Sequence, residues 1–283
     1  MVRFKDIMTK NLVYYDSEYK DHCTEFCKAR NIQYLPEISN PSSCMKLGDK
    51  GSWQQFKIKP SQYVYPQDAI FRRGMDTLFK KHEVLFVRDV NNALLGVVHF
   101  SDYNRPIVYN EAYQALYKLE RGLLHLIVRY GGQTRQDLLK YVMSNKRLAK
   151  KKIIKEYIRK ESNASPDELK AFLQPNDFRK LNFTLIEFMD FVNEIRLLEF
   201  KPGPAWKITN LRNKVAHSED LVQRDDYKDI NNMAYDYKSF RDVFWGRLEL
   251  EVAIKRVSNR FYFMTAHEKE ETILLNFRFE DYL

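Results

Sequence analysis

The chain has little of what breaks or staples a fold: nine glycines, nine prolines and three cysteines in 283 residues. With 44% apolar and 30% charged residues, so little glycine and proline excludes a linker, a collagen-like repeat or a low-complexity chain. What is left is a helix-rich globular protein, long enough for two domains that each bury a core. Cys23, Cys27 and Cys44 are odd in number and lack the pair spacing of a structural zinc site, so they read as buried thiols in a reducing compartment. A metal site at His22, Cys23 and Cys27, one helical turn apart, is the lesser reading. No apolar run reaches the length of a signal peptide core or of a membrane span, which predicts a cytoplasmic protein without a membrane partner. A Walker loop, an HExxH helix and a GxSxG elbow are all missing, which removes the common nucleotidase, metalloprotease and serine hydrolase readings.

What is present is positive charge. A formal net charge of +9 and a pI near 9.2 favour a polyanionic partner. Residues 145–160 hold eight Lys or Arg, interleaved with Leu148, Ile153, Ile154 and Ile158. That run suits an RNA phosphate backbone, although the solvated face of an amphipathic helix reads the same way.

Two halves differ in period. Up to about residue 106 short apolar runs alternate with helical stretches: a strand at 63–65, a helix over 68–81 with Ile70, Met75, Leu78 and Phe79 on one face, then a hairpin of 84–87 and 94–100. Asn91 and Asn92 between those runs suit the positive φ of a tight turn. The same order occurs earlier, with an apolar run at 11–15, a helix over 17–29, a strand at 32–38, a long loop rich in Ser, Gly and Pro, and a strand at 53–58. From about residue 107 the pattern is helical: Ala112, Ala115, Leu116, Leu119, Leu123, Leu126, Ile127 and Tyr130 share one face, and Gly131–Gly132 ends the helix. Further helices are predicted over 135–143, 145–160, from Pro166 with Ser165 as cap, 184–200, 209–217 after a PGP break, and 227–250. Residues 251–283 are aromatic and receive no assigned structure.

Two clusters carry chemistry. In Gly96-Val97-Val98-His99-Phe100-Ser101-Asp102 a glycine ends a strand where backbone and ligand can approach, Asp102 can accept both ribose hydroxyls, and Ser101, His99 and backbone N–H groups can hold phosphate. The plainer alternative is that Ser101 and Asp102 cap the next helix while Gly96 serves the hairpin. In LRNKVAHSED, His217 lies five residues after Arg212, with Asn213 between them. Metal-free RNA cleavage needs a group to take the ribose 2′ proton, a proton for the leaving 5′ oxygen, and a cation for the phosphorane charge. His217 is the candidate acid or base, Arg212 the phosphate clamp and Asn213 the orienting group. On an ideal helix Asn213 and His217 share a face, with Arg212 about 140° from His217. The alternative is a helix-terminal histidine that stabilises the last carbonyls.

The β-α-β-β repeat of about 55 residues, with DIMTKNLVYY at its head and GVVHFSD at its end, resembles a tandem CBS domain. The Arg-x4-His motif, late in a helical region and preceded by YQALYKLERGLLHLIVRYG with Glu120, resembles a HEPN ribonuclease domain. Together these imply an α+β chain: a CBS module over 1–106, an all-α HEPN bundle over 107–250 and an extension over 251–283. The CBS resemblance implies one adenine nucleotide, AMP, ADP or ATP, at Gly96, His99, Ser101 and Asp102. His99 stands where that family commonly has Thr, which leaves the phosphate number open and makes binding pH-dependent if His99 must be charged. The HEPN resemblance implies a metal-independent endoribonuclease with Arg212, Asn213, His217 and Glu120 at the catalytic site. It also implies a homodimer in which two motifs meet, through the bundles and the CBS modules, and a role in defence or as a toxin. The rival expectation is a non-catalytic nucleotide sensor whose bundle binds RNA or a partner protein.

Overall fold

Runs of β-branched and aromatic residues with turn signals on both sides form short strands, and stripes at three- and four-residue spacing form helices, so the chain is α+β. The computed structural model describes residues 1–30, 32–38, 40, 42–48, 51–223 and 236–268. Two compact units result, Met1–Ala112 with Lys214–Trp245, and Tyr113–Asn213 with Gly246–Leu283. They are therefore not successive blocks of sequence.

The first unit contains α1 (Phe4–Ile7), α2 (Lys20–Arg30) and an antiparallel sheet of β1 (Tyr34–Pro36), β2 (Ser43–Leu47) and β3 (Trp53–Lys57). β2 lies in the stretch read as a long loop. Ser42 before it and Gly48, Gly51 and Ser52 after it are turn residues at the ends of a strand, not parts of one continuous loop. A second sheet joins β4 (Tyr63–Val64), β5 (Val84–Arg88) and β6 (Leu94–His99), with α3 (Met75–His82) between β4 and β5. β4 runs parallel to β5, and β6 antiparallel to it. Tyr15 pairs in parallel with Glu37 across α2, so a parallel pairing around a helix followed by an antiparallel hairpin occurs twice. α3 starts at Met75, later than the predicted 68, because Gly74 has φ 89° and ends any helical path from its N-terminal side. Asn92 takes the positive φ expected of the hairpin, 65°, and the Asp89 carboxylate accepts the N–H groups of Asn91 and Ala93 at 2.8 Å each.

β6 runs into a 3-10 helix, Phe100–Asn104, and then into α4 (Pro106–Tyr130). Phe79, Phe100, Tyr103 and Phe240 pack ring against ring in the core of the first unit, and the buried Tyr103 hydroxyl donates to the Ile70 carbonyl at 2.7 Å.

The second unit is helical. Its part of α4 buries Ala115, Leu116, Leu119, Leu123, Leu126 and Ile127, and Ala112, at the end of the first unit's segment, is buried too, as their spacing predicts. A Cβ on Gly131 would sit 2.4 Å from the Ile127 carbonyl oxygen, which is why only glycine closes this helix. α5 (Arg135–Ser144) begins at the Thr134–Asp137 capping box, and α7 (Pro166–Lys170) at Ser165 with Glu168. The predicted basic helix over 145–160 is broken into a 3-10 turn, Leu148–Lys150, and α6 (Lys152–Glu161). α8 (Pro175–Lys180) was not foreseen. α9 (Leu185–Glu194) stops short of 200 because Arg196 is left-handed at φ 55° and the Asn193 side chain bonds both backbone groups of Phe200. α10 (Pro202–Ala216) starts inside the PGP sequence read as a break: prolines in a first helical turn remove only N–H groups that have no helical partner. α11 (Tyr237–Glu268) continues through much of 251–283, where no structure was assigned; its predicted start at 227 falls in 224–235, outside the described residues. Phe178, Phe183, Phe188 and Phe191 form an aromatic core with Tyr141. Among the described residues no helix is long and apolar enough to cross a membrane.

Candidate functional site

Gly96 lies inside β6, where it was expected to end a strand, and what approaches it is the chain itself. A Cβ there would stand 2.6 Å from the Thr9 carbonyl oxygen, and Thr9 and Val97 exchange backbone hydrogen bonds at 2.9 and 3.3 Å. The glycine thus admits the 8–9 segment of the chain, at a place where both backbone and ligand were expected to approach. Beyond it the 3-10 helix is capped from within: Asp102 Oδ2 accepts the His99 N–H at 2.8 Å. Asp102 Oδ1 is gripped by Arg105 through Nε at 3.0 Å and Nη2 at 2.9 Å, and Nη2 reaches the Thr9 hydroxyl at 3.2 Å. Burial raises the Asp102 pKa, while the His99 N–H and the Arg105 guanidinium pull it down. A ribose that takes both hydroxyls to this carboxylate must therefore compete with Arg105, and an Arg105 released beside Thr9 is a cation suited to phosphate.

His99 is held as an acceptor. Its Nδ1 accepts the Ser101 N–H at 3.1 Å, the Ser101 hydroxyl lies 2.8 Å from the same nitrogen, and the ring stacks on Phe100 at 4.1 Å between centroids. Burial lowers its pKa to about 4. An imidazole in this state is neutral at physiological pH, so the charge on which a pH-dependent phosphate contact was conditional is absent, and His99 is held as a neutral hydrogen-bonding group in the turn.

The second cluster is built on α10 and α4. Arg212 is half-buried in the last turns of α10, and its Nη1 lies 3.4 Å from the Oδ1 of the exposed Asn213. Glu120 of α4 is half-buried; burial raises its pKa, and the positive charge of Arg212 pulls it back. The structure thus brings Glu120 into the field of Arg212, far away in sequence. His217 is exposed and stands just past the helix, where an ideal helix would have carried it on the Asn213 face. The helix stops because Ser218 adopts φ 53° and a Schellman closure forms: the Glu219 N–H reaches the Lys214 carbonyl at 3.0 Å and the Ser218 N–H that of Val215 at 3.4 Å. His217 is then the C-cap residue, a position a purely structural histidine also takes.

Three residues around this turn were not singled out from the sequence. Lys214, only 6% exposed, donates to the Leu221 carbonyl at 3.1 Å and the Ser239 hydroxyl at 2.9 Å. Burial lowers its pKa, opposed by Glu219, Asp242, Asp236 and Asp220. The Tyr109 hydroxyl points to the Lys214 and Val215 carbonyls at 2.7 and 3.0 Å. The Asn104 amide bonds both backbone groups of Val222. A signal existed for Lys214, which falls three residues after the buried Leu211 on the apolar face of α10.

In α6, Lys152, Lys155, Arg159 and Lys160 are exposed over buried Ile154 and Tyr157, whereas Lys151 is paired with Glu187, and Arg147 with Asp190 at 3.0 Å. The three cysteines are buried, with burial pushing the Cys27 thiol up to about 11 and the Cys44 thiol to about 12. Among the described residues no group of three or more His, Cys, Asp or Glu could hold a metal ion. A cleft of about 420 Å³ in the second unit, lined by Asp137, Lys140, Tyr141, Glu194 and Arg196, contains none of the residues expected to be functional. No protein-family model matches the chain, and neither a curated protein nor a solved structure does.

Proposed function

We propose that this chain is an RNA-acting protein governed by a nucleotide. More narrowly, it is a metal-independent endoribonuclease of the HEPN type that works as a homodimer, with an adenine nucleotide taken up by a CBS-like module at Asp102 and Arg105. The observation that carries this reading is the contact of Arg212 on α10 with the exposed Asn213, Nη1 to Oδ1 at 3.4 Å, within the electrostatic reach of Glu120 on α4. A guanidinium in the field of a carboxylate and beside an amide is suited to a phosphate.

In the reaction the 2′ oxygen of ribose attacks phosphorus, a P–O2′ bond forms and the P–O5′ bond breaks. The 2′ proton passes to a base, and a second proton goes to the leaving 5′ oxygen, with His217 in one of these roles on each protomer. Arg212 offsets the charge on the phosphorane, Asn213 orients the phosphate, and the exposed cations of α6 guide the RNA backbone. The test is cleavage of end-labelled RNA by the full chain in EDTA, with and without AMP, ADP or ATP. His217→Ala is expected to lower the rate by about 100-fold or more, the size of a lost general acid or base. Equal rates for the two proteins overturn the reading.

One placement favours a second reading, a nucleotide sensor that binds RNA without cutting it: the C-cap position of His217 serves a structural histidine equally well. Under that reading RNA binding is nucleotide-dependent and survives His217→Ala unchanged.

A further inference from the structure

The 3-10 helix Phe100–Asn104 has two ends with different partners, both inside the first unit. Its first turn is closed by Asp102, which Arg105 holds. Its last residue, Asn104, reads the backbone of Val222: Nδ2 donates to the Val222 carbonyl at 2.8 Å, and the Val222 N–H donates to Oδ1 at 2.7 Å. This two-point clamp needs a donor and an acceptor on one short side chain. Asp lacks the donor, Gln is a methylene too long, and Ala offers neither.

The clamp sits at one end of the turn that carries His217. Leu221 and Val222 are fully buried, so backbone groups released there would lie in a dry core and cannot turn to water. At the other end the Tyr109 hydroxyl holds the carbonyls of Lys214 and Val215. Lys214 ties the two ends together through the Leu221 carbonyl and Ser239, whose hydroxyl also accepts the Gln223 N–H at 3.0 Å. Between these anchors His217, Ser218, Glu219 and Asp220 are exposed. The backbone course of the turn that carries the imidazole is thus bounded by fixed points on either side, one of which belongs to the Asp102–Arg105 turn.

We propose that Asn104 is a positioning residue for His217, and that it transmits the state of the Asp102–Arg105 pair to the His217 turn. A ligand that takes Asp102 from Arg105 alters the cap of the 3-10 helix; Asn104, two residues on, passes the change to Val222 and so to the turn. This rests on the nuclease reading for its functional meaning, but the coupling is a property of the fold and is measurable without RNA or nucleotide.

The experiment is a double-mutant cycle in the full chain: wild type, Arg105→Ala, Asn104→Ala and the double variant. Amide exchange of the segment 217–223 and the His217 imidazole resonance are the readouts. Arg105→Ala, which frees Asp102 without a ligand, is expected to speed exchange at Val222 about tenfold, within the usual range of site-to-site coupling, and to shift the His217 resonance. In the Asn104→Ala background exchange is already fast, and Arg105→Ala adds nothing. An equal effect of Arg105→Ala in both backgrounds, or none in the wild type, overturns the proposal; a merely structural Asn104 gives the former. Should Asn104→Ala not fold, Asn104→Asp, which keeps the Val222 N–H bond and loses the other, carries the same cycle. A His217→Ala protein that cleaves RNA as wild type does defeats the nuclease reading and leaves the exchange result standing, so the two failures are distinct.

Discussion

In the first unit polar side chains reach across long stretches of sequence to hold backbone: Tyr103 holds Ile70, Asn104 holds Val222, Tyr109 holds Lys214 and Val215, and Tyr237 holds Asp76. In the second unit many of the polar contacts are local, in capping boxes at Thr134–Asp137, Ser165–Glu168 and Thr184–Glu187, while Phe178, Phe183, Phe188 and Phe191 form its aromatic core and a few ion pairs, such as Lys151–Glu187 and Arg147–Asp190, span longer stretches. The difference has a physical origin. A helix satisfies its own backbone except at its ends, whereas short strands and 3-10 turns leave many groups that something else must satisfy.

The largest effect tests what the units share. Phe240→Ala in the first and Phe178→Ala in the second each remove a ring buried to 0–1% exposure, and each is expected to cost about 3–5 kcal/mol in urea unfolding. A cost confined to one of them would show that only one aromatic core is closely packed. The next separates them by pH. His99 titrates at about 4 when folded and at about 6.5 when unfolded, so below pH 6.5 the unfolded chain takes up a proton that the native state refuses. Stability is full above about 6.5, falls as pH drops and levels off below about 4, by on the order of 3 kcal/mol in all. His99→Gln should flatten that slope; an unchanged slope would place the titration elsewhere.

Smaller again is Gly96→Ala, whose Cβ meets a backbone oxygen at 2.6 Å and must push the Thr9 strand aside, at about 1–3 kcal/mol. If it is neutral, the 8–9 segment is not held against β6. The smallest belongs to the second unit: Ser165→Ala removes the cap of α7 and should lower stability by about 1 kcal/mol or less. A larger loss would mean that this exposed helix supports more than itself.

Legibility follows the same division. The stripe of α4, its glycine stop and the cap at Ser165 depend on neighbours within four residues, and they stand where the spacing placed them. The Asn92 turn is local in the same sense. β2 was missed because five residues between turn signals carry too little pattern, and the first half of α10, 202–208, because a proline-rich start imitates a break. In the candidate sites the residue types were readable but their partners were not. Nothing near Asp102 in sequence announces that Thr9 shares Arg105 with it, and nothing near His217 announces the Asn104 clamp.

The amino-acid sequence by itself determined the α+β character, the helix faces, the capping residues and the two clusters of candidate chemistry, since each depends on period or on contacts within a turn. The nucleotide, the RNA and the dimer came from resemblance to known families. Only the tertiary structure decided that Gly96 receives Thr9, that Asp102 is already held by Arg105, that His99 is neutral and that His217 closes α10. These are matters of burial and of hydrogen bonds between distant residues, which a sequence does not contain until the chain has folded.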